Sequence, residues 1–263
     1  MKKCDSKKGF TLAEVLITLG IIGVVAALTM PSIIANYQKK VISVRLKKFV
    51  STFSQAYNMA TAKYGDSAYW IDCSIKSGNS SCSEYDGGAS QKIIASLNAV
   101  DYSDNLSESY KQNLYDSALK VNAGGIPWAS MKSWQLPDGA LLFNMLDWNL
   151  GEAQTITTFH VDVNGMSGPN RYGKDVFIFG QVHTFVKCSW GFSINSFSSN
   201  VDLNKGLYMS EYGYFKDQQI DGVNGPIKSC KSSSSSILLK YKCTYLIQEN
   251  GWEFPDYYPW GAF

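Results

Sequence analysis

The sequence has few histidines, little charge and no closely spaced cysteine pair, and these shortages exclude several classes of function. Only two histidines occur in 263 residues, and neither lies in an H-E-x-x-H or G-x-S-x-G motif; no phosphate-loop motif is present either. Charged residues make up 17% of the chain, against roughly 25% in a typical soluble domain. The net charge of +2 argues against nucleic-acid binding by bulk charge. We therefore expect no enzyme, and nucleic-acid binding through bulk charge is not indicated.

The apolar residues are concentrated near the N-terminus. Residues 1–9 contain four lysines and one aspartate, and residues 10–30 then contain a single charged residue, Glu14. A helix of this length extends about 31 Å, which matches the roughly 30 Å hydrocarbon core of a bilayer. Pro31 follows the apolar run, where it is expected to kink or end the helix. The pattern predicts a transmembrane helix.

Two other interpretations of this segment are a secretory signal peptide and an uncleaved membrane anchor. A secretory signal peptide has an apolar region of about 7–15 residues followed by a small-residue cleavage site; the run here is longer and continues as SIIANYQKKV. An ordinary uncleaved anchor leaves Glu14 unexplained, since a carboxylate inside an apolar span is costly and marks a functional residue by default. Glu14 can also simply extend its carboxylate to the membrane surface.

The segment KKGFTLAEVLITLGIIGVVAAL resembles the class III leader of type IV prepilins and type II secretion pseudopilins. The resemblance implies that residues 1–9 are a leader removed after Gly9 by the inner-membrane prepilin peptidase, which then N-methylates Phe10. It also implies that Glu14 pairs with the Phe10 amine of a neighbouring subunit during assembly. The expected partners are this peptidase/methyltransferase, other pilin or pseudopilin subunits and the inner-membrane assembly platform.

Charge alone does not fix the orientation of the span in the membrane. Four lysines precede it, and five basic residues follow it between positions 39 and 48, so the positive-inside rule is indecisive. The resemblance implies a cytoplasmic leader and a single-pass inner-membrane protein whose remaining chain lies in the periplasm or outside the cell. After assembly the subunit is expected in a pilus or pseudopilus.

Beyond residues 10–31, the pattern predicts an amphipathic helical extension over residues 32–65. Its apolar positions recur with spacings of three and four residues, as on one helix face, and Gly65 is a helix-stop signal. The alternative is an amphipathic helix lying on a membrane surface. The apolar positions are Ile42, Leu46, Phe49, Phe53, Ala56 and Ala60.

Residues 66–263 are predicted to form a globular head. A turn at Pro137–Gly139 joins two apolar segments into a hairpin, and residues 156–163 are expected to pair with 176–179. Residues 182–186 offer a further strand. Helical patterns cover residues 91–99 and 235–249. The expected fold is therefore α+β, with the long N-terminal helix packed on a mainly antiparallel head, as in pilins.

The cysteines fit a head outside the cytoplasm. Cys4 belongs to the leader, and no C-x-x-C pair exists, so zinc and thioredoxin-type chemistry are disfavoured. Cys73 with Cys82, and Cys230 with Cys243, are close in sequence, and each pair can close a small loop. Alternatively, Cys188 pairs with Cys230 or Cys243, or the thiols are reduced. The candidate disulfide cysteines are Cys73, Cys82, Cys188, Cys230 and Cys243.

One glycine-rich segment of the head contains candidate metal ligands. Asp162, Asn164 and Asp175 lie in DVNGMSGPNRYGKD, and hard oxygen ligands on such a loop suit Ca²⁺. The segment lacks the EF-hand pattern, and a plain hairpin turn explains it as well. We therefore expect no cofactor and keep calcium as a weak candidate. The neighbouring His160 is expected to be exposed, because its apolar neighbours point to the other strand face.

Two functions follow from these patterns. The first is a structural subunit, major or minor, of a type IV pilus or type II secretion pseudopilus, assembled through its N-terminal helix. The second is an adhesive tip module whose head recognises a sugar, DNA or a surface through Trp128, Trp134, Trp148 and its tyrosines.

Overall fold

The computed structural model describes residues 11–70, 81–82, 88–117, 132–149, 155–183, 186–188, 201–203, 206–208, 230 and 241–260. The chain divides into two compact units, Met1–Val41 and Ile42–Phe263. We refer to them as the smaller and the larger unit. The predicted boundaries at residues 9, 31 and 65 remain predictions.

The first element is a 53-residue helix, α1, Leu12–Tyr64. Pro31 lies inside it, so the helix does not end there. Gly65 follows with a φ of +85°, a left-handed conformation that glycine adopts without strain at a helix end. All six apolar positions of the predicted stripe between residues 42 and 60 are buried, as the spacing indicated.

The larger unit is built around an antiparallel sheet, which confirms the α+β prediction. Hydrogen-bonded neighbours follow the order β2-β3-β4-β5-β6-β9, and β1 pairs separately with β4; β7 and β8 form a two-stranded sheet. The described strands are β1 Ser81–Cys82, β2 Val100–Asp101, β3 Ser133–Gln135, β4 Leu141–Asn149, β5 Thr155–Asp162, β6 Val176–Val182, β7 Val186–Cys188, β8 Val201–Leu203 and β9 Gly206–Tyr208.

Both predicted hairpins are present. The Pro137–Gly139 turn joins β3 to β4, and β5 pairs with β6 across the glycine-rich segment. Position 182 ends β6, and β7 begins only at Val186, so the single strand predicted for residues 182–186 is wrong.

Three shorter helices are described: α2 Ala89–Leu97, α3 Glu108–Ser117 and α4 Tyr241–Glu249. α2 overlaps the helical pattern predicted for residues 91–99 but begins two residues earlier, at Ala89. α4 falls within the pattern predicted for residues 235–249, of which residues 235–240 lie outside the described residues.

Helices cover both faces of the central sheet. On one face, Phe49 and Phe53 of α1 pack against Phe159 of β5. On the other face, Tyr110 and Leu114 of α3 join a buried cluster with residues of β4 and β6. A sheet covered on both sides must bury the polar residues of its strands as well, and those residues form the networks described below.

Candidate functional site

The start of α1 is closed by a reciprocal pair of hydrogen bonds between Thr11 and Glu14. The Glu14 carboxylate accepts from the Thr11 backbone N–H at 2.8 Å and from its hydroxyl at 2.9 Å. The Glu14 N–H donates to the Thr11 hydroxyl oxygen at 3.3 Å. This is a capping box, in which a Thr N-cap and a Glu three residues later satisfy two free backbone donors. The sequence T-L-A-E at residues 11–14 has the capping-box pattern, but the sequence analysis did not predict it.

The apolar residues of the smaller unit have no covering partner among the described residues. Leu12 is 78% exposed and Leu28 is 77% exposed. α1 contains a stretch long and apolar enough to cross a membrane, and none of that stretch is buried. Apolar surface of this extent is favourable only against lipid or other apolar helices.

The remaining residues of the predicted N-terminal site are placed as follows. Gly9 and Phe10, the predicted cleavage and methylation positions, lie outside the described residues. Glu14 lies in the first turn of α1, and Pro31 lies within the same helix. The kink expected at Pro31 stays a prediction, as does the pairing of Glu14 with a neighbouring subunit.

One of the predicted short-loop disulfides is present. Cys230 and Cys243 are bonded and fully buried, which ties residue 230 to α4. Cys82 lies on β1 and Cys188 on β7, but their side chains are outside the described part of the structure, as is all of Cys73.

The loop proposed for calcium is held together by its own carboxylates. Asp162 accepts hydrogen bonds from the Asn164 N–H at 3.2 Å and from the Tyr110 hydroxyl at 3.1 Å. Asp175 accepts from the N–H groups of Asn170 and Arg171 at 2.8 and 2.7 Å. All four carboxylate oxygens therefore accept hydrogen bonds from this chain, and they fix the turn between β5 and β6.

Burial dominates the electrostatics of this loop. It raises the pKa of Asp162 well above its usual range, and the nearby Asp175 carboxylate raises it further. Burial also raises the pKa of Asp175, while backbone N–H donors oppose this. Asn164 donates through its side-chain nitrogen to the Ser167 carbonyl. In the described ranges, no group of three His, Cys, Asp or Glu side chains is placed to hold a metal ion.

A second buried network of hydrogen bonds connects α1 to α2 through residues of β4 and β5. The Tyr57 hydroxyl lies 3.2 Å from His183 Nδ1, and the Thr157 hydroxyl lies 2.7 Å from His183 Nε2. The Thr157 hydroxyl donates to the Asp147 carboxylate, which also accepts from the backbone N–H and the hydroxyl of Ser90. Because Thr157 gives its only proton to the Asp147 carboxylate, the Thr157 oxygen accepts from His183 Nε2.

Asp147 is a helix cap supplied by the sheet. Its two oxygens accept from the Ser90 N–H at 3.2 and 3.0 Å, in the first turn of α2. Gly88, at the N-cap position, offers no side chain for this purpose, and a Cβ there would lie 2.5 Å from Asp147 Oδ2. Burial raises the pKa of Asp147, and the hydrogen bonds from Thr157 and Ser90 act against that rise.

The expectation that His160 is exposed is wrong. Only 3% of the residue is exposed, and its Nδ1 lies 2.7 Å from the Tyr172 hydroxyl. Nε2 lies 3.3 Å from the Asn144 side chain. Burial lowers the pKa of His160 to about 3, so the imidazole is neutral in the folded protein at neutral pH.

His160 makes the stability of the larger unit depend on pH. Its pKa rises from about 3 in the folded chain to about 6.5 when unfolded, so the unfolded state binds more protons between these values. The free energy of unfolding therefore falls as pH drops below about 6.5, by about 2 kcal/mol at pH 5. His160→Gln removes this contribution while keeping a polar side chain.

The measurement is urea unfolding of wild type and His160→Gln at about pH 7.5 and about pH 5. The stability lost between the two pH values should be about 2 kcal/mol smaller in the variant. Titration of the buried aspartates is common to both proteins and cancels in the comparison. Equal losses in the two proteins would contradict a neutral buried imidazole.

The surface proposed for an adhesive head is only partly described. Trp134 is 8% exposed and lies on β3 within the core, so it is not a surface residue. Trp128 and the side chain of Trp148 lie outside the described residues. None of the described contacts favours a ligand-recognition face.

Comparison with known proteins gives one match in each part of the chain. Residues 4–30 match the prokaryotic N-terminal methylation motif, and residues 32–261 match a family of unknown function, DUF6613. No curated protein and no solved structure matches the chain. The methylation motif implies processing by prepilin peptidase and assembly with other pilin subunits. Because the second match covers most of the sequence, the chain belongs to the DUF6613 family, and its N-terminal segment is a class III signal peptide of the type IV prepilin kind.

Proposed function

We propose that this protein is a structural subunit of a type IV pilus or type II secretion pseudopilus, processed by prepilin peptidase and assembled through α1. It is a substrate of the peptidase rather than an enzyme. Before assembly it lies in the inner membrane with residues 66–263 on the periplasmic or extracellular side. The assembly platform and neighbouring subunits are its partners.

One observation carries this proposal: the methylation motif at residues 4–30 leads directly into an uncovered apolar helix with a single acid. Cleavage after Gly9 removes lysines and keeps the apolar segment, so the product stays in the membrane. The apolar surface then provides a face for packing against other α1 helices, where lipid tails and apolar side chains are equivalent surroundings. The larger unit, with a sheet covered by helices on both faces and a disulfide, supplies a stable body outside the membrane.

The test is mass spectrometry of the protein extracted from membranes of cells that contain an active prepilin peptidase. The expected product lacks residues 1–9 and carries an N-methylated Phe10. Gly9→Val should block processing, because the peptidase cuts directly after this position. An intact Met1 terminus in the wild-type protein would contradict the proposal.

Gly23→Val is the matched control. It makes the same side-chain change inside α1, where an added Cβ meets nothing within 4 Å. This variant should be processed normally. Normal processing of Gly9→Val would show that the cut lies elsewhere.

A further inference from the structure

The turn between β5 and β6 brings oxygen atoms of four residues together around the buried side chain of Asn170. Only 5% of Asn170 is exposed. Its Oδ1 lies 3.0 Å from the Ser167 carbonyl oxygen, 3.2 Å from the Gly165 carbonyl oxygen and 3.3 Å from Asp162 Oδ2. Carbonyl and carboxylate oxygens are acceptors, so Asn170 Oδ1 lies among acceptors. Four oxygens this close repel one another unless positive charge lies between them.

Reversing the Asn170 amide does not remove this excess of acceptors. The reversed amide places Nδ2 against the same three oxygens, and an amide nitrogen has two hydrogens for these three acceptors. It also turns Oδ1 toward the Met166 carbonyl, to which Nδ2 otherwise donates at 3.4 Å. Each orientation of the amide therefore leaves oxygens of this turn facing other oxygens.

The separations between the oxygens match those between ligands of one calcium ion. Ca²⁺ binds oxygen at about 2.3–2.6 Å, so ligands about 75–90° apart are separated by about 2.8–3.7 Å. All three distances from Asn170 Oδ1 fall within this range. Octahedral Mg²⁺ at about 2.0–2.1 Å brings neighbouring ligands to about 2.9 Å, which is shorter than the separations to Gly165 and Asp162. The spacing therefore favours the larger ion.

The charge of the turn also favours a cation. The Asp162 and Asp175 side chains belong to fully buried residues, and neither carboxylate is in an ion pair with a basic side chain of the described ranges. Asp162 Oδ2 accepts a hydrogen bond from the Tyr110 hydroxyl at 3.1 Å, and its second lone pair is suited to a metal ion. Burial and the Asp175 carboxylate raise the pKa of Asp162, and a cation at Oδ2 relieves this by stabilising the charged form.

We propose that the turn binds Ca²⁺ through Asp162 Oδ2, Asn170 Oδ1 and the carbonyl oxygens of Gly165 and Ser167. These are a carboxylate, a side-chain amide and two backbone carbonyls, which are the ligand types that Ca²⁺ takes, and water completes its coordination. Asp175 has a different role, since it holds the backbone of the turn by accepting from the Asn170 and Arg171 N–H groups. The inference is independent of the proposed function, because every ligand lies in the larger unit.

The first test is thermal unfolding of the full chain in detergent, after removal of metal with a chelator. With a dissociation constant of about 0.1–1 mM, as in extracellular calcium sites, about 10 mM calcium chloride should raise the melting temperature by roughly 3–10 °C. Magnesium chloride at the same concentration should leave it nearly unchanged. No shift with calcium, or an equal shift with magnesium, overturns the inference.

Asp162→Asn removes the charged ligand and should abolish the shift with calcium. Asp104→Asn is the matched control, because Asp104 is an exposed acid outside the turn, and this variant should keep the shift. A shift of wild-type size in Asp162→Asn overturns the inference.

Asn170→Asp separates a metal ligand from a hydrogen-bond donor and decides the question if Asp162→Asn does not fold. If Asn170 Oδ1 binds calcium, the added charge should make binding at least about tenfold tighter by isothermal titration calorimetry. The variant should then melt below wild type without calcium and show the larger shift with it. If the Asn170 amide instead donates to the turn, the new carboxylate faces three acceptors in either condition. A variant that is less stable with and without calcium, and binds it no more tightly, overturns the inference.

Discussion

Glu14→Gln is expected to be cleaved normally and to enter filaments at least about a hundredfold less efficiently than the wild type. Glutamine at this position preserves the capping box with Thr11, because its amide oxygen accepts the same hydrogen bonds. The substitution removes only the negative charge. If that charge pairs with the Phe10 amine of a neighbouring subunit, the amine is left alone among apolar helices, at a cost of about 3–5 kcal/mol.

The capping box provides the matched control for this experiment. Thr11→Val removes the hydroxyl that bonds Glu14 but keeps the carboxylate. Loss of an N-cap costs about 1 kcal/mol, so its effect on incorporation should be about fivefold. Glu14→Leu removes both the cap and the charge and should be at least as defective as Glu14→Gln.

The measurement is the ratio of subunit in sheared filaments to subunit in the membrane pool, with processing followed by gel shift. A large defect in Glu14→Gln together with a small one in Thr11→Val supports pairing between subunits. The reverse order would assign Glu14 to helix capping alone. Normal incorporation of both variants would leave Glu14 without a role in assembly.

Phe53→Ala should lower the free energy of unfolding of the larger unit by about 3–5 kcal/mol. The Phe53 side chain is fully buried, and its ring stacks on Phe159 with centroids 4.7 Å apart. Its centroid is also 5.7 Å from that of Phe49. Truncation leaves a cavity that helix and sheet cannot close without moving their backbones.

Val44→Ala is the control on the same helix, since Val44 is 61% exposed. Its effect should stay within about 0.5 kcal/mol. Both variants are compared with wild type by denaturant unfolding of the full chain in detergent, followed by near-ultraviolet circular dichroism. A loss below about 1 kcal/mol for Phe53→Ala would show that α1 does not contribute to the core as described.

The periodic parts of the structure were predictable from sequence. The stripe from Ile42 to Ala60 followed the helical repeat, and every predicted member is buried. The hairpin around Pro137–Gly139 followed from turn chemistry and flanking apolar residues. Such features depend on neighbours within one or two turns of chain, so the sequence contains all that is needed to find them.

His160 shows why the rest was not predictable. A one-sided sheet exposes every second residue, and His160 was assigned to the solvent face on that assumption. The sheet is instead covered on both faces, by α1 and by α3. Whether a strand has one covered face or two depends on elements distant in sequence, and a single strand pattern contains no trace of them.

The functional residues also divide into those that the local sequence predicts and those that it does not. The methylation motif and Glu14 are contiguous in sequence and were found from it. The network of Asp147, Thr157 and His183 joins residues of β4, of β5 and of the position after β6, and nothing in the local sequence of any member marks it. The Thr11–Glu14 capping box is the exception: its signal was present and was overlooked.

The Asp147 cap has a consequence for how the larger unit comes apart. The start of α2 is closed by a carboxylate of β4, which in turn accepts from β5. Fraying the first turn of α2 therefore leaves a buried carboxylate short of donors, a cost that an ordinary helix end, capped by its own neighbour, does not carry. Helix and sheet are consequently one cooperative unit: the terminus that usually opens first is bound to the part that opens last.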